Sequence, residues 1–129
     1  MMSDPTAGRE AILEQLGCIL SSAAFQGAER SRKLLSFLVE RTARGQADEI
    51  KEYTLGTEVL GRSESFDPRT DPIVRAEASR LRQRLELYYA TEGRAAPLMI
   101  RLPKGSYIPE FEQHPAVLEP GTVLKAKAV

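Results

Sequence analysis

The residues best suited to chemistry form a basic, slim helical face between Asp71 and Tyr89, in the segment DPIVRAEASRLRQRLELYY. At about 100° per residue, the apolar positions occupy one side of a helix. The opposite side would carry Arg75, Ala76, Ser79, Arg80 and Gln83, with Arg82 and Arg84 on the two flanks. Arginine forks and small polar groups on an anchored helix suit the major groove of DNA, where guanine offers two acceptors. A solvated surface helix with scattered arginines is the alternative.

The same segment carries the signals of a helix that packs on a core. Asp71 can cap the N-terminus, and Pro72 fits the first turn because its missing N–H is not needed there. The residues at helical spacing that would make the apolar stripe are Val74, Ala78, Leu81, Leu85 and Tyr88. We therefore predict a helix over about residues 72–90, with the two leucines buried.

A β-hairpin over about residues 98–109 is predicted to follow this helix. Leu98, Ile100 and Leu102 alternate with other residues in the manner of a half-buried strand. Residues 103–106 predict a turn, and the return strand would begin at Tyr107, with Pro109 confining it to an edge. The hairpin adds two cations, Arg101 and Lys104, that could hold a nucleic-acid backbone.

Three further helices are predicted before the basic one, at about residues 8–22, 29–44 and 51–60. A turn-rich linker over residues 63–72 follows them, and Phe66 could anchor it in the core. We expect residues 1–7 to be a flexible start, residues 8–111 to form the domain and residues 112–129 to be a weakly ordered tail.

The amino-acid composition limits the classes of protein to which this chain can belong. With 129 residues, 42% hydrophobic and 28% charged, the chain suits one globular domain. The net charge is zero, which argues against a grossly basic nucleic-acid binder, yet residues 71–107 hold seven basic and four acidic residues. No apolar run approaches a membrane span and no signal sequence is evident, so we expect a cytoplasmic protein. The single cysteine, Cys18, cannot form an internal disulfide, and its apolar neighbours predict a buried thiol.

Catalysis is not indicated by any constellation of residues. Asp67 and Asp71 both precede proline, so turn and cap roles explain them better than general acid–base work. His114, the only histidine, has no plausible partner, and no nucleophile–base pair, metal-ligand spacing or phosphate loop is present. We expect no enzymatic activity, cofactor, metal or small-molecule substrate.

The order of elements is typical of a winged helix-turn-helix: helices, a short helix, a connection, a basic amphipathic helix and a hairpin. The sequence therefore predicts a mainly α fold with a small β-hairpin. In that fold the helix at 72–90 would read the major groove and the hairpin, or wing, would contact the backbone. The expected contacts to DNA are Arg75, Ser79, Arg80, Arg82, Gln83, Arg84, Arg101 and Lys104.

Two resemblances to known domains support this order. RAEASRLRQRL and IRLPKGSY resemble the recognition helix and wing of OmpR/PhoB-type effector domains. More closely, IKEYTLGTEVLGR, FDPRTDPIVRAEASRLRQRLELYYATEG and LPKGSYIPEF look like a bacterial domain found ahead of adenylate-cyclase, TolB-like or tetratricopeptide segments. The resemblance implies a transcriptional regulator that binds double-stranded DNA. It leaves open a protein-interaction or regulatory module of a signalling system that keeps the fold without binding DNA.

The first predicted helix differs from the resembled family, whose members begin with a small antiparallel sheet. Its apolar stripe consists of Ile12, Leu16, Ile19 and Leu20. A homodimer through this stripe would suit a protein that reads two half-sites. Alternatively, the stripe covers the domain's own core.

Overall fold

A computed structural model describes the backbone of residues 4–113 and the side chains of residues 8–113. The helices are α1 (Asp4–Leu20), α2 (Glu29–Ala43), α3 (Glu52–Thr54) and α4 (Ile73–Ala90), and the strands are β1 (Leu98–Arg101) and β2 (Glu110–Gln113). A π-helical turn, Leu55–Val59, continues α3, and single 3-10 turns lie at Ala23–Phe25 and Ala47–Glu49. The predicted mainly α fold with a small hairpin is confirmed. His114 and the remaining predicted tail lie outside the described residues.

The core lies where α1, α2 and α4 pack against one another. α2 contributes Leu34, Leu35, Leu38 and Val39, all of which have 1% exposure or less. α4 contributes Leu81 and Leu85, exposed by 0% and 4%, so their predicted burial is confirmed. Because these side chains recur at helical spacing, each helix turns one face inward and leaves the other for solvent.

Asp71 and Phe66 fix the start of α4. The Asp71 Oδ1 atom accepts a hydrogen bond from the Ile73 N–H at 3.1 Å, which caps a donor that has no partner within the helix. The Phe66 ring is buried against Gly56, where an added Cβ would lie 2.3 Å from the ring. The predicted anchor is confirmed. The predicted cap is shifted by one residue, because Pro72 occupies the N-cap position and Asp71 precedes it, although the Asp71 carboxylate still accepts from the first turn.

The hairpin pairs later than predicted. β1 and β2 are antiparallel, with Leu98 opposite Gln113 and Arg101 opposite Glu110. The expected turn is present, since the Ser106 N–H donates to the Pro103 carbonyl at 3.1 Å and Gly105 has a φ of 83°. The return strand, however, begins at Glu110 and not at Tyr107, because Pro109 has no N–H to donate to a ladder. β2 therefore continues beyond the predicted domain boundary at residue 111.

Two expectations for α1 need correction. The helix begins at Asp4, before the predicted start at Gly8. Cys18 is exposed, so the prediction of a buried thiol was wrong. Cys18 is adjacent to Ile19 in sequence, but one residue turns a helix by about 100°, so the two side chains point in different directions.

Tyr53 of α3 lies at the surface and is 45% exposed. Its hydroxyl donates to the Glu64 carbonyl at 2.8 Å, and the centroids of the Tyr53 and Phe66 rings are 6.2 Å apart. The tyrosine therefore ties the linker to α3 from outside the core.

Candidate nucleic-acid interface

The exposed face of α4 carries four of the five side chains that were expected to point away from the core. Arg75, Ser79, Arg80 and Gln83 are all exposed, and Ala76 is half-buried beside them. Their spacing places them along one side of the helix, directly opposite the buried leucines. The result is a slim polar ridge with an arginine near its start and another at its middle.

Both arginines of this ridge form ion pairs within the protein. Arg75 Nη1 donates to Glu52 Oε2 at 2.7 Å and to the Pro68 carbonyl at 3.0 Å. Arg80 Nη1 donates to Glu77 Oε2 at 2.6 Å. The arginine side chains remain 51% and 60% exposed, so solvent or a ligand can still reach them.

Glu77 is the polar residue of α4 that the sequence did not single out. Its side chain is only 5% exposed, and Arg30 Nη1 of α2 lies 3.5 Å from its Oε2 atom. The carboxylate thus joins an arginine from each of two helices. Two features of the sequence could have predicted this contact. Glu77 falls between Val74 and Leu81 at helical spacing, and Arg30 belongs to a cluster of cations at the start of α2.

Arg82 and Arg84 were expected to contact DNA from the two flanks of the helix, and the structure engages both with carbonyls of the protein. Arg82 Nε donates to the carbonyls of Leu102 and Pro103 at 3.1 and 3.3 Å, and its Nη2 atom donates to that of Ser106 at 3.0 Å. Arg84 Nη1 donates to the Ala24 carbonyl at 3.0 Å. Both side chains are half-buried, so they fix neighbouring segments to α4.

The two predicted cations of the hairpin differ in their surroundings. Arg101 Nη1 lies 3.0 Å from carboxylate oxygens of both Glu110 and Glu112 on the paired strand. Lys104 is exposed at the turn, and no ion pair within residues 8–113 engages it. Because Arg82 holds the loop that contains Lys104, the lysine is carried on a segment fixed to α4.

A partly buried hydrogen-bond network fixes the other end of the hairpin. The Tyr89 hydroxyl donates to the Leu98 carbonyl at 3.1 Å and accepts from the Ile100 N–H at 2.8 Å. Gln15 Nε2 of α1 donates to the hydroxyls of Tyr88 and Tyr89 at 3.3 and 3.1 Å. Burial raises the pKa of Tyr89 to about 12, since the charged form would lose its hydration.

The stripe of α1 is used within the domain. Ile12, Leu16 and Ile19 are exposed by 8%, 4% and 0%, and Leu20 packs partly against the same core. This burial favours the alternative in which α1 covers the core. A homodimer through α1 stays a prediction that would need another part of the helix surface.

Within the described residues, no group of three or more His, Cys, Asp and Glu side chains could hold a metal ion. None of the described helices has the length and apolar character needed to cross a membrane. Comparisons with protein-family models, curated proteins and solved structures found no match to this chain.

Proposed function

We propose that the protein is a DNA-binding, winged helix-turn-helix transcriptional regulator. The observation that carries this proposal is the division of α4 into a buried apolar face and an exposed ridge of Arg75, Ser79, Arg80 and Gln83. A helix of about 10–12 Å in diameter fits the major groove, and arginine can donate two hydrogen bonds to guanine there. The hairpin would act as the wing, with Lys104 on a phosphate.

The ion pairs on the ridge are compatible with DNA binding. Exposed pairs contribute only about 0–1 kcal/mol, because water screens them and the side chains lose entropy when they pair. Arg75 is 51% exposed, so it could exchange the carboxylate that it contacts for a phosphate or a base at small cost. Arg80, which is 60% exposed, can keep its Nη1 contact with Glu77 and present its other N–H groups to DNA. Arg82 and Arg84 would then act indirectly, by holding the elements that make contact.

The experiment compares Arg80→Ala with Lys104→Ala. Arg80 can read a base, so its loss should weaken binding to a selected site by roughly 1–3 kcal/mol and relax sequence preference. Lys104 offers a point charge, so its loss should weaken binding to all sequences alike and reduce the salt slope by about one. The measurement is a salt series of binding isotherms on a selected site and on scrambled DNA.

Arg44→Ala is the matched control. Arg44 is exposed at the C-terminal end of α2, which has 15 residues, so it lies about 20 Å along the helix from Arg30 and its contact with Glu77. This variant removes one positive charge away from the ridge and should leave sequence preference unchanged. The proposal would be contradicted if the wild type and all variants bound every DNA with the same low affinity.

A protein-interaction or regulatory module is the second candidate, and the pattern of ion pairs favours it. Arg75, Arg80 and Arg101 each face a carboxylate of the same chain, which lowers the field available to attract phosphate. A mixed surface of this kind suits a protein partner better than DNA. If the salt series shows no affinity for DNA, this function becomes the leading proposal.

A further inference from the structure

We infer that Glu77 is a positioning residue that orients Arg80 and thereby sets which bases α4 prefers. The inference rests on the proposed function, because base preference has meaning only if α4 reads DNA. It goes beyond that function by assigning a role in sequence selection to an acidic residue that would not itself touch DNA.

The burial of Glu77 distinguishes this pair from an ordinary surface ion pair. Its carboxylate is on the margin of the core, with 5% side-chain exposure, whereas Arg80 is 60% exposed. A buried carboxylate that loses its partners is strongly disfavoured, since little water can replace them. Glu77 therefore restrains Arg80 more firmly than a solvated glutamate on the helix surface would.

The contact selects one edge of the Arg80 guanidinium for the ligand. Nη1 donates to Glu77 at 2.6 Å, and the edge formed by Nε and Nη2 has no hydrogen-bond acceptor in the part of the chain that the structure describes. A guanidinium can donate two parallel hydrogen bonds from such an edge, which matches the O6 and N7 acceptors of guanine. With Nη1 occupied, we expect fewer ways for Arg80 to approach a base.

Arg30 extends the restraint to a second helix. Its Nη1 atom lies 3.5 Å from Glu77 Oε2, the same oxygen that accepts from Arg80. The shared carboxylate keeps two guanidiniums, from α2 and α4, side by side. A side chain that is already oriented loses less rotamer freedom on binding, so the arrangement should favour the matching base more than the others.

The test is Glu77→Gln, with Glu86→Gln as the matched control. Both replacements remove one negative charge from α4, but Glu86 is exposed and makes no ion pair within the described residues. For Glu77→Gln we expect the ratio of affinities for selected and scrambled DNA to fall on the order of tenfold, within the range for loss of a bidentate base contact. Glu86→Gln should leave this ratio within about twofold, although it strengthens binding to both DNAs.

A double variant separates positioning from general destabilisation. If Glu77 acts through Arg80, Glu77→Gln should no longer change the affinity ratio when Arg80 is already alanine. A purely structural role would lower the melting temperature and weaken binding to both DNAs in proportion. An unchanged ratio in Glu77→Gln, or the same loss of preference with and without Arg80, would overturn the inference.

A measurement without DNA keeps the inference distinct from the proposed function. NMR relaxation of the Arg80 Nε–Hε group should show an ordered side chain in the wild type and increased motion in Glu77→Gln. Equal mobility in the two proteins would overturn the role of Glu77 even if the wild type binds DNA selectively.

Should Glu77→Gln unfold, Glu77→Asp provides the second variant, because it keeps the charge but shortens the reach to Arg80 and should also lower the ratio of affinities for selected and scrambled DNA. If the wild type binds no DNA, both the proposed function and the role of Glu77 in base preference are contradicted. The mobility comparison would still show whether Glu77 restrains the Arg80 side chain.

Discussion

Arg82→Ala should destabilise the protein by detaching the hairpin loop from α4. The guanidinium donates through Nε to two carbonyls, at 3.1 and 3.3 Å, and through Nη2 to a third at 3.0 Å. The two Nε contacts share one hydrogen, so we count them as one bond and the Nη2 contact as another. Hydrogen bonds from a charged donor contribute about 1.5–3 kcal/mol each, and water at this half-buried site will recover part of that.

We therefore expect the free energy of unfolding to fall by about 2–3 kcal/mol, which lowers the melting temperature by roughly 8–15 °C for a domain of this size. Thermal and urea unfolding measure the loss. In hydrogen-exchange measurements, Arg82→Ala should accelerate exchange in residues 98–113, relative to the wild type, more than it does in α2. Arg82→Lys should recover only part of the stability, because an ammonium group cannot reproduce the fork.

Gln83→Ala is the control, since its side chain is exposed on the next position of α4 and should change stability by less than about 0.5 kcal/mol. If Arg82→Ala were no more destabilising than this control, the contacts of Arg82 would not hold the hairpin. Arg82 would then be available for the DNA contact that was predicted from its position on the helix flank.

Three further predictions concern the core and the tyrosine network. Leu81→Ala and Leu85→Ala should each cost roughly 2–5 kcal/mol, and thermal melts that barely move would show that this face of α4 is not packed. Gly93→Ala should cost about 1–3 kcal/mol in urea unfolding, because the added Cβ would lie 2.2 Å from the Tyr88 ring; wild-type stability would show that the ring can yield. Burial raises the folded-state pKa of Tyr89 from 10.0 to about 12, so the unfolded chain ionises first, and the unfolding free energy should decrease by up to about 1.4 kcal/mol per pH unit between pH 10 and 12. Below pH 10 this contribution to stability is fully present. Urea unfolding of the wild type and Tyr89→Phe at a series of alkaline pH values isolates it, and the same dependence of the unfolding free energy on pH in both proteins would contradict it.

Local periodicity explains why the helices could be predicted from the sequence. α2 was expected over residues 29–44 and spans Glu29–Ala43, because its apolar residues repeat at the helical period and Gly45, with a φ of 78°, ends it. The same reasoning identified the buried and exposed faces of α4. The pairing start of β2 was missed because a turn signal specifies where the chain bends and does not specify where two strands first meet.

The roles of the arginines depend on partners that are distant in sequence. Arg84 and Ala24, whose carbonyl accepts its hydrogen bond, are 60 positions apart, and Arg82 and Ser106 are 24 apart. A helical wheel places both arginines on the flanks of α4 and carries no information about which carbonyls lie beside them. Glu77 was overlooked for a related reason: a glutamate between two apolar positions is buried only if another helix covers it and supplies a cation.

The hydrogen bonds of Tyr89 have a consequence for how the hairpin meets other protein chains. A two-stranded sheet leaves unpaired N–H and C=O groups along its outer edges, and such edges can recruit a strand from a second molecule. The Tyr89 hydroxyl engages the Leu98 carbonyl and the Ile100 N–H, which lie on the same side of β1. A side chain of α4 thus occupies the positions where an incoming strand would begin to pair. We expect Tyr89→Phe to leave these two backbone groups without the hydroxyl, and the variant to self-associate along this edge of β1 more readily than the wild type.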